Sequence, residues 1–219
     1  MRDKKILITG SNGFIGKNLI LKLKEKNYNN LLFYSKEYSK DNLIKKINNS
    51  DIIVHLAGIN RDIDLEKFKK VNVELTETIC DEINKIMAET GKKVPIIFSS
   101  TTQVDQKSLY GQTKLKAEKI IKSKLKKVNH YILRLPGVFG KWCRPHYNSV
   151  VATFCYNISR GNKITINDPE KTLNLMHIDD VVSRILHIIE NSPNTNKLEL
   201  SPIYKIKVKD LSETLINFN

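Results

Sequence analysis

Ile6-Leu7-Ile8-Thr9-Gly10-Ser11-Asn12-Gly13-Phe14-Ile15-Gly16 decides the fold. A short apolar run meets a glycine-spaced turn. The turn leads into Phe14–Lys26, where Ile15, Leu19 and Leu23 recur at helical spacing. The reading is strand, turn, helix. In this G-x-x-G-x-x-G pattern Gly10 permits the tight turn, Gly13 lets backbone approach a ligand, and Gly16 lets the helix pack closely on the strand. The helix N-terminus faces the same ligand with unpaired N–H groups and a partial positive charge. Such a motif is weak alone. At the first strand-to-helix junction it points to a bound dinucleotide pyrophosphate rather than an empty turn.

The same alternation continues outward. Leu31–Ser35 reads as a strand and Asn42–Asn48 as a short helix. Asp51–Leu56 is a strand without polar alternation, the mark of burial on both faces. Leu65–Glu89 reads as one long helix, Pro95–Ser99 as a strand, Gly111–Lys127 as a helix and Tyr131–Leu135 as a strand. This βαβα order predicts an α/β fold, a Rossmann-type doubly wound parallel sheet. After Pro136 the rhythm changes. Gly137–Tyr147 reads as a loop, Asn148–Arg160 as a helix, Lys163–Asn167 as a short strand, and Asp179–Asn191 and Val208–Phe218 as helices. The expected organisation is a dinucleotide-binding domain over residues 1–140, to which 175–191 returns. Residues 141–174 and 192–219 form a small substrate-binding lobe.

Composition excludes other classes. The 219 residues suit one domain with a small lobe. The formal charge of +14 comes mostly from lysines spread over the chain, with no arginine cluster or aromatic-basic stretch, so no nucleic-acid partner is expected. A positive surface suits anionic small molecules instead. Three cysteines, Cys80, Cys143 and Cys155, form no C-x-x-C pair, and neither a disulfide framework nor a metal site is expected. No apolar run approaches the roughly 18 residues of a membrane span, and Met1–Lys5 leads straight into a strand. A soluble, cytoplasmic protein is expected.

Two positions refine the chemistry. The second strand ends Tyr34-Ser35-Lys36, without the carboxylate that usually holds an NAD ribose, so Ser35 and Lys36 suit the 2′-phosphate of NADPH. Glu37 follows and works against this. Tyr110-Gly111-Gln112-Thr113-Lys114 is Y-x-x-x-K. About one such pair is expected by chance in a chain of this composition. Its place gives it weight: it follows the strand Ile96–Ser99 and the polar segment Ser100-Thr101-Thr102, and i, i+4 spacing puts Tyr110 and Lys114 on one helix face towards the strand ends.

With these motifs the chain resembles the extended short-chain dehydrogenase/reductases, the NAD-dependent epimerase/dehydratase family. The residues that carry the resemblance are the glycine motif, His55-Leu56-Ala57-Gly58, Asn72-Val73, Ser99-Ser100-Thr101, the Tyr110/Lys114 pair and His177-Ile178-Asp179-Asp180-Val181. They cover nearly the whole chain. Phe139-Gly140-Lys141-Trp142-Cys143-Arg144-Pro145, Tyr147-Asn148-Ser149-Val150 and Ala152-Thr153-Phe154-Cys155-Tyr156 resemble more narrowly the reductase domain of bifunctional capsular-polysaccharide enzymes of UDP-N-acetyl-L-fucosamine synthesis. The resemblance implies NADPH-dependent reduction of a UDP-linked 4-keto-6-deoxy-N-acetylhexosamine. It implies that Tyr110 protonates the carbonyl oxygen, that Lys114 lowers the Tyr110 pKa and holds the cofactor ribose, and that Thr101 bonds the substrate oxygen. Ser100 and Thr102 are alternatives for that last role.

The resemblance further implies that Asn12, Phe14 and Ile15 join the three glycines as cofactor contacts, with Leu56, Ala57, Gly58, Ser99, Leu135 and Pro136. Thr102, Gln103, Lys141, Arg144 and Asn148 are substrate candidates; a solvated loop or helix cap is the other reading of the last three. His177 and Asp179 suit a helix cap better than an acid–base pair. Cys143 is a candidate reactive thiol. Extended members often carry Asn where this chain has Gly137. No histidine-rich barrel segment follows Val208–Phe218, so no cupin, and none of the epimerisation assigned to it, is expected. The resemblance also implies a homodimer through helices 65–89 and 111–127. Two other functions compete: an epimerase or dehydratase holding NAD tightly, and a non-catalytic NADP-binding module. Thr102-Gln103 lacks the acidic pair of dehydratases, and the Tyr/Lys pair argues against the module.

Overall fold

Three of the first five strands bury every residue, and that dictates a sheet covered on both sides. In the computed structural model, which describes residues 2–61, 64–193 and 199–218, β1 (Ile6–Thr9), β2 (Leu31–Tyr34), β3 (Ile52–His55), β4 (Ile96–Thr101) and β5 (His130–Leu135) form one sheet in the order β2-β1-β3-β4-β5. All four pairings are parallel; Ile8 lies beside Phe33 on one side and Val54 on the other. The expected doubly wound parallel sheet is present.

Alternate strand residues feed two cores. Ile6, Ile8, Ile52, Val54, Ile97 and Leu133 pack with α1 (Phe14–Glu25) and α7 (Ile178–Asn191) through Leu19, Leu23, Val181 and Ile185. Leu7, Ile53, Ile96 and Phe98 pack on the opposite face with α2 (Lys40–Asn48), α4 (Leu75–Thr90) and α5 (Leu109–Lys124) through Leu43, Ile83, Ala117 and Ile121. Each fully buried Ile or Leu contributes about 1.5–3 kcal/mol. The chain leaves β1 for β2 on one side and returns to β3 on the other. That reversal opens a crevice at the carboxyl ends of β1 and β3.

The long helix expected over 65–89 is interrupted. A short α3 (Leu65–Lys69), capped by the Asp64 carboxylate on the Glu66 amide at 2.9 Å, passes into a π-helical turn over Lys70–Glu74 before α4. The wider turn brings Asn72 inward, where it is 1% exposed. The helix expected from Gly111 starts at Leu109, because Ser108 caps it by accepting from the Gly111 amide at 3.1 Å.

After β5 the chain builds a second sheet. β6 (Gly137–Phe139) pairs parallel with β7 (Thr172–His177), which pairs antiparallel with β8 (Tyr204–Lys207). Gly137–Phe139 is therefore strand and not loop. Lys163–Asn167, read as a strand, is irregular. Its Ile164 and Ile166 instead pack beside Phe154 of α6 (Val150–Ile158) and Leu211 of α8 (Val208–Asn217). Residues 194–198, which fall in the expected lobe, lie outside the described residues. Among the described residues no helix is long and apolar enough to cross a membrane.

Candidate active site

The crevice at the strand ends is a cleft of about 680 Å³. Gly10, Asn12, Gly13, Phe14, Ile15 and Gly16 form one wall. Gly10 has φ +69°, and a Cβ there would stand 2.7 Å from the Ala57 nitrogen; one on Gly16 would stand 2.4 Å from the Gly10 oxygen. Only glycine closes this turn. No side chain caps α1, and its first turn holds no acidic residue. Its first amides are thus free of intrahelical partners and suit an anion. The glycine cradle and the uncapped helix fit a dinucleotide pyrophosphate.

The floor comes from Leu56, Gly58, Ser99, Ser100, Thr101, Leu135 and Pro136. Ala57 does not line the cleft. Its amide donates to Thr9 Oγ1 at 3.2 Å, and its backbone packs against Gly10. Beneath the floor His55 is fully buried between Thr9 Oγ1 at 2.7 Å and Thr76 Oγ1 at 3.0 Å. Burial, with the Lys114 charge adding, pushes its pKa down to about 3, so it is a neutral strut.

Tyr110 and Lys114 both line the cleft. Gly111 makes this possible: a Cβ on it would stand 2.1 Å from the Gln103 oxygen, so α5 docks closely on the 3₁₀ turn Thr102–Asp105. Lys114 is 3% exposed and donates from Nζ to the Ser99 carbonyl at 2.8 Å. Burial lowers its pKa to about 8, against the opposing charge of Glu118. Burial raises Tyr110 to about 12; a hydrogen bond with Thr101 lowers it, and Tyr147 adds to the rise. The shift thus runs opposite to the expected lowering of Tyr110 by Lys114. Burial dominates it, and the Lys114 ammonium is engaged by the Ser99 carbonyl.

The structure separates the three candidate hydroxyls. Thr101 bonds Tyr110. Ser100 donates to Glu118 Oε1 at 2.5 Å, and that buried carboxylate also holds Arg134 at 2.8 Å. Thr102 is exposed and does not line the cleft. Of the other substrate candidates, Gln103, Arg144 and Asn148 line it. Lys141 does not; its Nζ lies 4.3 Å from the Trp142 ring centroid. Ser35 and Lys36 also lie outside this cleft, and the Ser35 hydroxyl donates to the Glu37 carboxylate. That bond lowers the Glu37 pKa, so a negative charge stands at the end of β2.

His177 caps α7, its Nδ1 accepting from the Asp179 amide at 3.3 Å, and neither residue lines the cleft. Cys143 does line it, half-buried; Cys80 is buried and pushed up to about 12. Lys17, Ile59, Asn60, Val138, Trp142 and Tyr147 also line the cleft and were not expected. Lys17 was legible, since it follows Gly16 in the first turn of α1. Asn60 and Tyr147 sit on loops whose course no periodicity reveals. Asn72 holds the floor from behind: Oδ1 accepts from the Ile59 amide at 2.9 Å, while Nδ2 donates to the Ile59 carbonyl at 2.9 Å and Thr113 Oγ1 at 3.1 Å.

Residues 6–201 match the NAD dependent epimerase/dehydratase family. The chain belongs to that family. UDP-2-acetamido-2,6-beta-L-arabino-hexul-4-ose reductase of Pseudomonas aeruginosa is 39% identical over 217 residues, covering 98% of this chain and 57% of that protein. The crystal structure of the capsular polysaccharide assembling protein CapF from Staphylococcus aureus superposes with a TM-score of 0.84 at 33% identity, covering 98% of this chain and 58% of that one. The chain thus spans 57% and 58% of the length of these two relatives. UDP-glucuronic acid 4-epimerase from Bacillus cereus, in complex with UDP-glucuronic acid and NAD, shares the fold: TM-score 0.79 at 20% identity, covering 97% of this chain and 82% of that one.

Proposed function

We propose that this member of the family reduces a nucleotide-linked 4-keto-sugar, with NADPH as donor and a UDP-linked 4-keto-6-deoxy-N-acetylhexosamine as substrate, in the supply of precursors for a capsular or surface polysaccharide. The observation that carries the reading is the meeting of Tyr110, Thr101 and Lys114 in one cleft with the glycine cradle. The 39% identity to a named hexul-4-ose reductase supports the substrate class.

Each residue has a task in this reading. A dinucleotide, when bound, supplies hydride. Gly10, Gly13 and Gly16 make room for its pyrophosphate beside the first turn of α1. Tyr110, pushed up to about 12, keeps its proton through the neutral range and holds it for the carbonyl oxygen. Thr101 orients that phenol. Lys114 remains charged below its pKa of about 8 and favours negative charge as it develops on the oxygens nearby. Arg144 and Asn148 hold the nucleotide diphosphate from the facing loop, and the lobe of 141–174 and 192–219 encloses the sugar. The same reading makes the protein a homodimer through helices 65–89 and 111–127.

Glu37 favours a second reading, an epimerase or dehydratase with tightly held NAD, because its carboxylate stands where Ser35 and Lys36 would take a 2′-phosphate. The absorbance of the purified protein separates the two: retained NAD favours the second, while cofactor-free protein that consumes NADPH with UDP- or dTDP-linked 4-keto-sugars favours the first. For donor choice, wild type should bind NADPH more tightly than NADH, and Lys36→Ala should narrow the gap by about tenfold. Tighter NADH binding by wild type would refute the NADPH assignment.

A further inference from the structure

The cofactor wall and the 140–148 loop meet at one buried side chain. Asn18 lies in the second turn of α1 and is 6% exposed. Its Nδ2 donates one hydrogen to the Phe14 carbonyl and the other to the Lys141 carbonyl, both at 2.9 Å. The first bond stays within the helix; the second reaches the loop. The backbone bends around that acceptor, with φ of +127° at Gly140 and +68° at Trp142. A Cβ on Gly140 would stand 2.6 Å from Ile178 Cγ2, so the turn also presses on the start of α7. Behind the loop lies a cavity of about 490 Å³ lined by Phe139, Cys143, Pro145, Cys155, His177 and Leu215. The far end of the loop is tied separately: Arg61 Nη1 donates to the Tyr147 carbonyl at 2.7 Å, and the His146 amide donates to Thr153 Oγ1 at 3.0 Å.

We propose that Asn18 is a positioning residue for the substrate side of the cleft. Through the Lys141 carbonyl it sets the stance of Trp142, Cys143 and Arg144 and ties it to the helix that forms the cofactor wall. The substrate half of this inference rests on the reductase reading above; the structural half does not.

Trp142 is the single tryptophan of the chain and is 50% exposed, so its fluorescence reads the turn directly. The experiment measures acrylamide quenching of the ligand-free protein, then steady-state kinetics, for wild type, Asn18→Ala and Asn18→Ser. Serine keeps the helical bond, since its hydroxyl reaches the carbonyl four residues back, but it is too short for Lys141. Both variants should raise the quenching constant about twofold as the turn loosens. Both should raise KM for the nucleotide sugar about tenfold, the effect of losing roughly one preorganising hydrogen bond, with kcat and the dinucleotide dissociation constant within about twofold. Unchanged quenching in folded Asn18→Ser overturns the proposal, whatever the substrate proves to be. An equal loss of dinucleotide affinity also overturns it, since that would locate the damage in α1. Altered quenching in a protein that turns over no keto-sugar supports the role of Asn18 and removes the reductase reading alone.

Discussion

Lys114 keeps an ammonium group almost wholly inside the protein, and its surroundings explain how. Nζ is bonded to the Ser99 carbonyl and lies 4.5 Å from the Phe98 ring centroid. Glu118, one turn along α5, supplies the opposing charge. The pKa still falls from 10.5 to about 8. Below 8 both the folded and unfolded chains carry the proton. Between 8 and 10.5 the folded chain has released it while the unfolded chain retains it, so stability gains as pH rises through that window. Activity should move the other way. If the charged form supports catalysis, kcat/KM for wild type should fall as pH rises through about 8, and Lys114→Met should remove that limb and lower kcat/KM by about 10²- to 10³-fold. A profile without the limb would detach Lys114 from the chemistry. The Tyr/Lys pair was legible from its spacing and place, but the direction of the Tyr110 shift was not. It depends on depth of burial and on where the Lys114 ammonium points, and neither is written in Y-x-x-x-K.

Among the elements, α5 positions most of the site, and Gly111 sets its distance from the neighbouring 3₁₀ turn. Gly111→Ala should force α5 away from the Gln103 carbonyl and carry Tyr110 with it. The expected result is a loss in kcat of at least about tenfold, from displacement of the acid by a fraction of an ångström or more, with dinucleotide affinity preserved because the glycine cradle is untouched. Unaltered kcat would show that the close approach is not needed. The sheet was legible because β1 and β4 are uninterrupted apolar or small-residue runs and β3 is apolar up to its terminal His55, which a doubly covered sheet buries. The second sheet was not. β6 is three residues long and starts with glycine, and β8 alternates apolar and charged residues over only four positions and is mostly exposed, so neither is long enough to stand out as a half-buried strand. Ile164 and Ile166 do alternate, yet they serve packing without strand pairing. The π turn at Asn72 was invisible for another reason. Its shape is bound up with the hydrogen bonds Asn72 makes to Ile59 and Thr113, residues distant in sequence.

At the scale of the whole molecule, the cleft lies between a sheet built from the first part of the chain and a loop from the later part, so dinucleotide and sugar would meet at their junction. The long helices on one sheet face, α4 and α5, are joined to each other by Lys124, which pairs with Glu77 at 3.1 Å and Asp81 at 2.5 Å. The proposed twofold pairing runs through these two helices. Light scattering should then give twice the mass of one chain, and a single-chain mass would refute the pairing. Net reduction is tested directly by its stoichiometry. Purified protein should be incubated with NADPH and a UDP-linked 4-keto-6-deoxy-N-acetylhexosamine, with dinucleotide absorbance followed and the sugar product weighed by mass spectrometry. One NADPH should be consumed for each product molecule bearing two more hydrogens than the substrate, and kcat should fall about 10³-fold in Tyr110→Phe. A product of unchanged mass with no NADPH consumed, or Tyr110→Phe turning over at the wild-type rate, would contradict net reduction through Tyr110.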